Sequence, residues 1–496
     1  MTLNLPVEIL YEILNEFVIQ DDTKAFKTLF SCLLVNKLWC QITVPILWRD
    51  PWNFKIWDTS KYKHRYRAMF NILILFLSDN SIEYLKEYGI EFFTIQPKYS
   101  FRSNPRRIID YNTSTLFNYP SFCKNLSIYH INKMIDLGEH QLRYCKTFII
   151  KEILKLFISE SSHFLYMHIE NTQYDITRLF SNDKTSLAFS QITELIIGTK
   201  VESSILHQLS QLCQNIKRLN LTGIDYPNQG MIDLIKVQKN LNYLEFNSNL
   251  IDKKKDKQTI SLGNMLKLKS NSIISLNFKN ELQITLEILP YFTQNLRELK
   301  FEVNTRHRLL SRFYLKLESI KFSQLESLEC NLPFKVLAKV IEKSGNKLKR
   351  IIHKKGCYNS NEIEFLINAI SSNCFKLKCL HIEIKDIDDL LQLLNFCQDL
   401  KELKLNLLYF NINNQLSFFK ILAKNSPLNL YKLQLNNINI TYELFENFLK
   451  MWQKRPNMKS LNLNIIGYYF INDKEKIVKK FKKNGVLNEF KYKINK

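Results

Sequence analysis

The amino-acid sequence predicts an α/β fold in which a short strand and a helix alternate along most of the chain, after a small α-helical segment at the start. Two observations lead to this prediction. One strand pattern recurs at intervals of roughly 23 to 32 residues, and the first residues have the pattern of an apolar, acidic helix. A chain of 496 residues is too long for one ordinary core, which also favours an array of repeats.

The recurring pattern is an apolar residue, two variable residues, an apolar residue, one variable residue and a third apolar residue. It occurs as FLYMHI (164–169), ITELII (192–197), IKRLNL (216–221), LNYLEF (241–246), IISLNF (273–278), LRELKF (296–301), LESLEC (325–330), LKRIIH (348–353), LKCLHI (377–382), LKELKL (400–405), LYKLQL (430–435) and MKSLNL (458–463). The alternation is typical of a strand with one apolar face, and helical stretches such as PFKVLAKVIEKSG lie between the copies. Because one strand and one helix cannot bury their apolar sides alone, we expect the units to stack into a solenoid.

These units resemble the leucine-rich repeat family, whose motif is LxxLxLxxN/CxL. Cys213, Cys374 and Cys397 each stand three residues before the first apolar position of a strand, as helix-end cysteines do in the cysteine-containing subfamily. The resemblance implies a horseshoe-shaped solenoid with one strand and one helix per repeat.

The first helix is written in LNLPVEILYEIL (3–14). Pro6 suits a first helical turn, and Glu8 complements the helix dipole. Ile9, Leu10 and Ile13 belong to an apolar stripe that is wide for a segment of this size. A module of fewer than about 50 residues can barely build a core, so this surplus of apolar side chains indicates a partner that covers it.

Residues 1–48 resemble an F-box. The matching residues, in chain order, are Leu5-Pro6, Ile9-Leu10, Ile13-Leu14, Leu34-Val35, Lys37, Trp39 and Leu47-Trp48. An F-box ahead of leucine-rich repeats implies a substrate receptor of an SCF-type (cullin–RING) ubiquitin ligase, held by a Skp-type adaptor. The residues that this resemblance places against the adaptor are Leu5, Pro6, Ile9, Leu10, Ile13, Leu34, Val35 and Trp39. Trp39 and Trp48 could each serve as an anchor or as part of the module's own core.

A receptor of this kind does no chemistry itself: it binds a target protein and presents it for ubiquitin transfer and ubiquitin-dependent degradation. Strand positions that flank the apolar ones should form the ligand-binding surface of the solenoid. The candidates for target binding are Arg218, Tyr243, Lys300, Arg350, His381, Lys404 and Lys432. No GxGxxG, GxxxxGK[ST], GxSxG, HExxH or CxxC occurs, so we expect no catalytic residue, no cofactor and no metal.

The chain carries a formal net charge of +23, and most of its basic residues are Lys. Nucleic-acid readers more often use Arg, so nucleic acid is not the expected ligand. The alternative function that stays open is a basic leucine-rich repeat scaffold that binds RNA or another anionic ligand. Scattered cysteines and the lack of a long apolar stretch predict a cytoplasmic or nuclear protein with reduced thiols and no membrane contact.

Three regions are expected: the F-box at 1–48, a connecting helical region at 49–160, and the repeats at 161–496 with a basic C-terminal cap. In the connecting region, HRYRAMFNILILFLS (64–78) predicts a buried helix. LSIYHI (126–131) and CKTFII (145–150) could be degenerate first repeats. Residues 473–496 predict a terminal capping helix with a polar outer face.

Overall fold

The computed structural model describes residues 6–19, 23–53, 62–88, 115–137, 143–158, 162–170, 183–198, 201–223, 227–247, 257–279, 283–303, 310–354, 360–407, 415–467 and 474–494. The chain divides into two compact units, Met1–Leu241 and Asn242–Lys496. Each is described by itself.

The first unit consists of helices and four short strands. Its helices are α1 Val7–Ile19, α2 Thr23–Cys32, α3 Lys37–Trp48, α4 Tyr62–Ile74, α5 Asp79–Glu87, α6 Ile128–Asp136, α7 Lys146–Phe157, α8 Asp183–Ser190, α9 Ser203–Leu212 and α10 Gln229–Val237. Its strands are β1 Asn125–Ser127, β2 Tyr166–Ile169, β3 Glu194–Ile197 and β4 Arg218–Thr222. The strands lie side by side in chain order, and each pairs with the next in parallel.

In its described residues, the second unit repeats this alternation with ten strands. Its strands are β5 Tyr243–Asn247, β6 Ser275–Lys279, β7 Glu298–Glu302, β8 Ser327–Cys330, β9 Arg350–His353, β10 Cys379–Ile384, β11 Glu402–Leu407, β12 Lys432–Asn436, β13 Leu461–Gly467 and β14 Leu487–Ile494. Its helices are α11 Lys257–Leu268, α12 Gln283–Ile288, α13 Leu310–Ser319, α14 Phe334–Ser344, α15 Ile363–Asn373, α16 Ile387–Phe396, α17 Gln415–Asn425, α18 Tyr442–Gln453 and α19 Lys474–Lys483. All consecutive strands from β5 to β14 pair in parallel.

The strands alternate between a core face and a polar face. In β11, for example, Leu403, Leu405 and Leu407 are buried, whereas Glu402 and Lys404 are only partly buried. Strand side chains alternate in direction, so the apolar positions of every repeat point toward the helices and the flanking positions point away from them. The prediction of strand–helix repeats is confirmed, because all twelve sequence copies contain a strand, from β2 to β13.

The helix ends follow from local sequence. Asp386 caps α16 by accepting a hydrogen bond from the Asp389 backbone N–H, while the Asp389 side chain bonds back to the cap. Cys213, Cys374 and Cys397 stand at the C-terminal caps of α9, α15 and α16, and all three are buried. Burial raises the pKa of Cys213 and Cys397 to about 12, so these thiols serve as small apolar core groups.

Of the two possible first repeats, LSIYHI supplies a strand, β1, that pairs in parallel with β2, and CKTFII does not. CKTFII belongs to helix α7 and is no degenerate strand. LSIYHI divides between strand β1 and helix α6, because the Ser127 hydroxyl caps α6 by accepting a hydrogen bond from the His130 N–H. The C-terminal cap is helix α19 followed by strand β14, which pairs with β13.

Other expectations match the described residues. Helix α4 covers most of HRYRAMFNILILFLS, and its Phe70, Leu73 and Ile74 are buried. Among the described residues, no helix combines the length and the apolar character that a membrane crossing requires.

Candidate functional site

The first candidate site is built on helices α1, α2 and α3, which we call the three-helix module. Its core consists of Leu10, Leu14, Leu29, Cys32, Ile42 and Ile46, with Phe17, Trp39 and Leu47 packed against it at partial burial. Leu10 and Leu14 are one helical turn apart, so both lie on the same side of α1 and face the other two helices. The module therefore has a closed core of its own.

A second set of apolar side chains is exposed outside that core, on both flanks of α1 and along the turn that leads into α3. This set, the apolar face, consists of Val7, Ile9, Tyr11, Ile13, Leu34, Val35 and Leu38, each of which keeps between 39% and 88% of its surface exposed. Burying the exposed part of such a side chain releases roughly 25 cal/mol per Å² of apolar surface removed from water. Several such groups on one small module are typical of a surface that a partner covers.

The turn between α2 and α3 holds two of these side chains in fixed positions. The backbone N–H groups of Leu34 and Val35 donate to the carbonyl groups of Ser31 and Cys32, at 3.1 and 3.3 Å. The Asn36 side chain then caps α3 by accepting a hydrogen bond from the Trp39 N–H at 2.9 Å. Leu34 is 88% exposed, the most of any residue in the apolar face, yet its backbone is held by this turn.

The structure separates the predicted adaptor residues into two groups. Pro6, Ile9, Ile13, Leu34 and Val35 are exposed, and Leu5 lies outside the described residues. The remaining two lie in or against the module core. Leu10 is only 2% exposed, and Trp39 packs against the module core at partial burial.

The two tryptophans make different contacts. Trp39 supports the module core, and Trp48 packs beyond the module against Tyr119, with ring centroids 4.8 Å apart. The exposed Val7, Tyr11 and Leu38 were not among the predicted contact residues. Val7 and Tyr11 are four residues apart and so share a side of α1 other than that of Ile9 and Ile13, and their apolar character is the signal that could have pointed to them.

The second candidate site is the polar face of strands β9 to β12 in the second unit. Four of the predicted target-binding residues lie there on four adjacent strands: Arg350 on β9, His381 on β10, Lys404 on β11 and Lys432 on β12. Tyr243 and Lys300 lie on β5 and β7 of the same unit, and Arg218 lies on β4 of the first unit.

Parallel pairing aligns polar side chains of β9 to β12 into rows. In the first row, Arg350 is the register partner of Cys379, Cys379 of Glu402, and Glu402 of Lys432. The Arg350 guanidinium lies 3.6 Å from the Cys379 sulfur, that sulfur lies 3.8 Å from a Glu402 carboxylate oxygen, and the Lys432 ammonium lies 3.2 Å from the same carboxylate oxygen. Opposite charges thus alternate across four strands around a buried thiol.

His381 and Lys404 are register partners in the second row, and both line a pocket of about 500 Å³. The rest of its lining is Ile352, His353, Lys354, Ile382, Glu383, Asn406, Asn436, Asn437 and Ile466. The buried Glu383 carboxylate accepts a hydrogen bond from the Asn406 amide at 2.8 Å, and the Asn437 amide donates to the Asn406 carbonyl oxygen at 2.7 Å. An ordered set of amide and ammonium groups in a concavity is suited to a polar side chain of a ligand.

His381 is uncharged at neutral pH. Burial, together with the positive charges of Lys404 and Arg350, lowers its pKa to about 4, although Glu402 acts in the opposite direction. The net positive charge of this wall therefore comes from Arg350, Lys404 and Lys432.

Other basic side chains of the polar face contact acidic neighbours. Lys300 pairs with Glu329 at 3.5 Å, and Lys354 bridges Glu329 and Glu302 at 3.2 Å each. These contacts neutralise much of the local charge, so the excess of Lys in the sequence does not translate into an uninterrupted cationic stripe.

Comparisons with known proteins complete the description of the chain. No protein-family model matches it, and no curated protein matches it. Among solved structures, it is similar to a chain from the crystal structure of the Rad7 and Elc1 complex in yeast, at 14% identity and a TM-score of 0.32. The match covers 68% of this chain and 86% of that chain. At this TM-score the likeness carries no argument about function.

Proposed function

We propose that this protein is a non-catalytic substrate receptor of a cullin–RING ubiquitin ligase, with leucine-rich repeats that bind a target protein. In this proposal the three-helix module is an F-box that binds a Skp-type adaptor. The observation that carries the proposal is the apolar face: a module that already has a closed core exposes the seven large apolar side chains of this face, and Phe30 besides, among its described residues.

The mode of adaptor binding follows from the positions of these side chains. Ile9 and Ile13 are four residues apart and so lie on one side of α1, while Leu34, Val35 and Leu38 cluster along the turn and the first turn of α3. Anchors at such spacing suit an apolar groove on a partner. The receptor would then contribute proximity, because a bound target is held near the ubiquitin donor of the ligase.

The target is proposed to bind the polar face of the second unit. Arg350, Lys404 and Lys432 supply positive charge there, and the pocket supplies amide groups. This chemistry suits a target segment that carries acidic or phosphorylated side chains.

The alternative of a scaffold for RNA or another anionic ligand is less well supported. A nucleic-acid surface needs a run of phosphate-contacting cations, and several lysines of the polar face are already paired with glutamates. Ionic strength separates the two functions, because nucleic-acid binding weakens steeply with added salt whereas apolar docking does not.

The test is co-purification of the full chain with a recombinant Skp-type adaptor. Leu34→Asp combined with Val35→Asp places charge on the apolar face without touching the core, so we expect loss of capture and an unchanged melting temperature. Leu116→Asp is the matched control, since Leu116 is 90% exposed and lies outside the module, and it should still capture the adaptor.

Two outcomes would count against the proposal. If the wild-type chain captures no adaptor at low and high salt, the ligase function is wrong. If the double variant captures as much adaptor as the Leu116→Asp control, the apolar face is not the contact surface.

A further inference from the structure

We propose that Cys379, His381 and Glu402 form a binding site for a divalent transition-metal ion, with Zn²⁺ as the ion that best fits these ligands. The nearest donor atoms of the three side chains, one sulfur, one imidazole nitrogen and one carboxylate oxygen, all lie within 4.8 Å of one another. The proposal does not depend on the ligase function.

The repeat architecture itself creates this cluster. Cys379 and His381 are two residues apart on β10, so both project from the same side of the strand, while Leu380 between them is fully buried in the core. Glu402 begins β11 and is the direct register partner of Cys379. Three ligands from two adjacent strands are therefore fixed by backbone pairing.

The distances are close to those that zinc requires. Zinc ligand bonds of about 2.0–2.3 Å in a tetrahedron place neighbouring donor atoms about 3.5 Å apart. The Cys379 sulfur already lies 3.8 Å from the Glu402 carboxylate oxygen. His381 and Glu402 are only partly buried, so rotation of their side chains can bring the donor atoms to the separation that a zinc site requires.

The ligand set selects the class of ion. Thiolate and imidazole are ligands of Zn²⁺ and related transition metals, whereas Mg²⁺ and Ca²⁺ prefer oxygen alone. Three protein ligands leave a fourth position for water or for a donor atom of a bound partner, as in zinc sites that exchange ligands.

The charge around the cluster is compatible with a metal. The Cys379 thiol lies against the Glu402 oxygen that also contacts Lys432. When Zn²⁺ binds, the thiol proton is released to solvent and a zinc–sulfur bond forms. Thiolate and carboxylate then balance the two positive charges of the ion.

The same observations explain why sequence spacing does not show this site. Cys379 and His381 form only a Cys-x-His pair, and the third ligand is 23 residues further along the chain, in the next repeat. Most of the remaining described cysteines are fully or nearly buried, and Cys40 is the partly exposed thiol that serves as a control.

The experiment is calorimetric titration of the full chain with ZnCl₂ after treatment with a chelator, in two buffers of different ionisation enthalpy. We expect saturable binding of one ion with release of a proton, and a thiolate-to-metal charge-transfer absorption when Co²⁺ is used as the probe. Cys379→Ala, His381→Ala and Glu402→Gln should each weaken zinc binding at least about 100-fold. Cys40→Ala should bind zinc as the wild type does.

Thermal melts of each variant establish that it is folded, and Glu402→Gln keeps the size of a partly exposed side chain, so it remains informative if Cys379→Ala does not fold. The absence of saturable zinc binding by the wild-type chain would overturn the proposal. So would unchanged binding by folded Glu402→Gln and Cys379→Ala variants.

Discussion

The three-helix module and the polar face of β9 to β12 differ in what they offer to a partner. The module exposes Ile9, Ile13 and Leu34, which contribute to binding by removing apolar surface from water. The polar face exposes charged and amide groups arranged in rows. Association through the first surface should tolerate salt, and association through the second should depend on it.

This difference reflects how each surface is built. A module with a core of about nine side chains has few ways to hide apolar groups, so exposed ones stand out. The repeats bury their apolar positions against neighbouring helices, which leaves the intervening strand positions free to vary in chemistry.

The largest expected effect separates the two sides of α1. Leu14→Ala removes a side chain that is 1% exposed, so the free energy of unfolding of the module should fall by about 2–5 kcal/mol. The neighbouring Ile13 is 44% exposed, so Ile13→Ala should change the free energy of unfolding of the module by less than about 1 kcal/mol. Hydrogen exchange of the α1 to α3 amides measures both. Equal effects would show that the module core is assigned to the wrong side of α1.

A test of the repeats uses the close approach of α9 and α10. The Gly230 N–H donates to the Ser203 hydroxyl at 2.8 Å, and a β-carbon at Gly230 would collide with the Ser203 carbonyl oxygen. Gly230→Ala should therefore destabilise the first unit by about 1–3 kcal/mol in chemical denaturation. Gly263→Ala, whose β-carbon would meet only a side-chain oxygen at 3.6 Å, is the control and should not destabilise the chain. A harmless Gly230→Ala would mean that helix–helix contact between repeats is looser than described.

The pH dependence of stability tests the polar face. The folded-state pKa of His381 is about 4, below its ordinary value of 6.5, because burial and the nearby Lys404 and Arg350 disfavour the charged form. As the pH falls, His381 is therefore protonated in the unfolded chain before it is protonated in the folded chain. The contribution of the neutral His381 to the free energy of unfolding is complete above pH 6.5 and is lost as the pH falls toward 4. In a chelating buffer, His381→Gln should show a smaller loss over that window than the wild type. Parallel pH curves for the two proteins would contradict the burial of His381.

The smallest expected effect concerns the charge row. Lys432 and Glu402 form an ion pair at 3.2 Å, but the Lys432 side chain is 57% exposed. Lys432→Gln should then lower the free energy of unfolding by no more than about 1 kcal/mol, measured by denaturant titration at low salt. A larger loss would mean that the polar face is built for stability and not for binding, which would weaken the contrast with the module.

Sequence periodicity located the strands well because burial on one face is a local property of each strand. It was less informative for β1, where Ser127 caps a helix within three residues, and for β14, which follows the Lys-rich helix α19 in a segment predicted to be one capping helix. The alternation of Phe490, Tyr492 and Ile494 with Lys491 and Lys493 is a local strand signal for β14, and β14 pairs with β13.

By itself the sequence determined that a helical module precedes stacked strand–helix units, since apolar spacing alone specifies which positions must be buried. Only the tertiary structure decided that Leu10 faces the module core while Ile9 faces solvent, because that choice depends on where α2 and α3 pack. It also decided that Cys379 meets Glu402, since the register between strands is set by the length and packing of the helix that connects them. The local spacing of residues determines which side chains share a face of a helix or strand. The tertiary fold determines which side chains of different repeats come into contact.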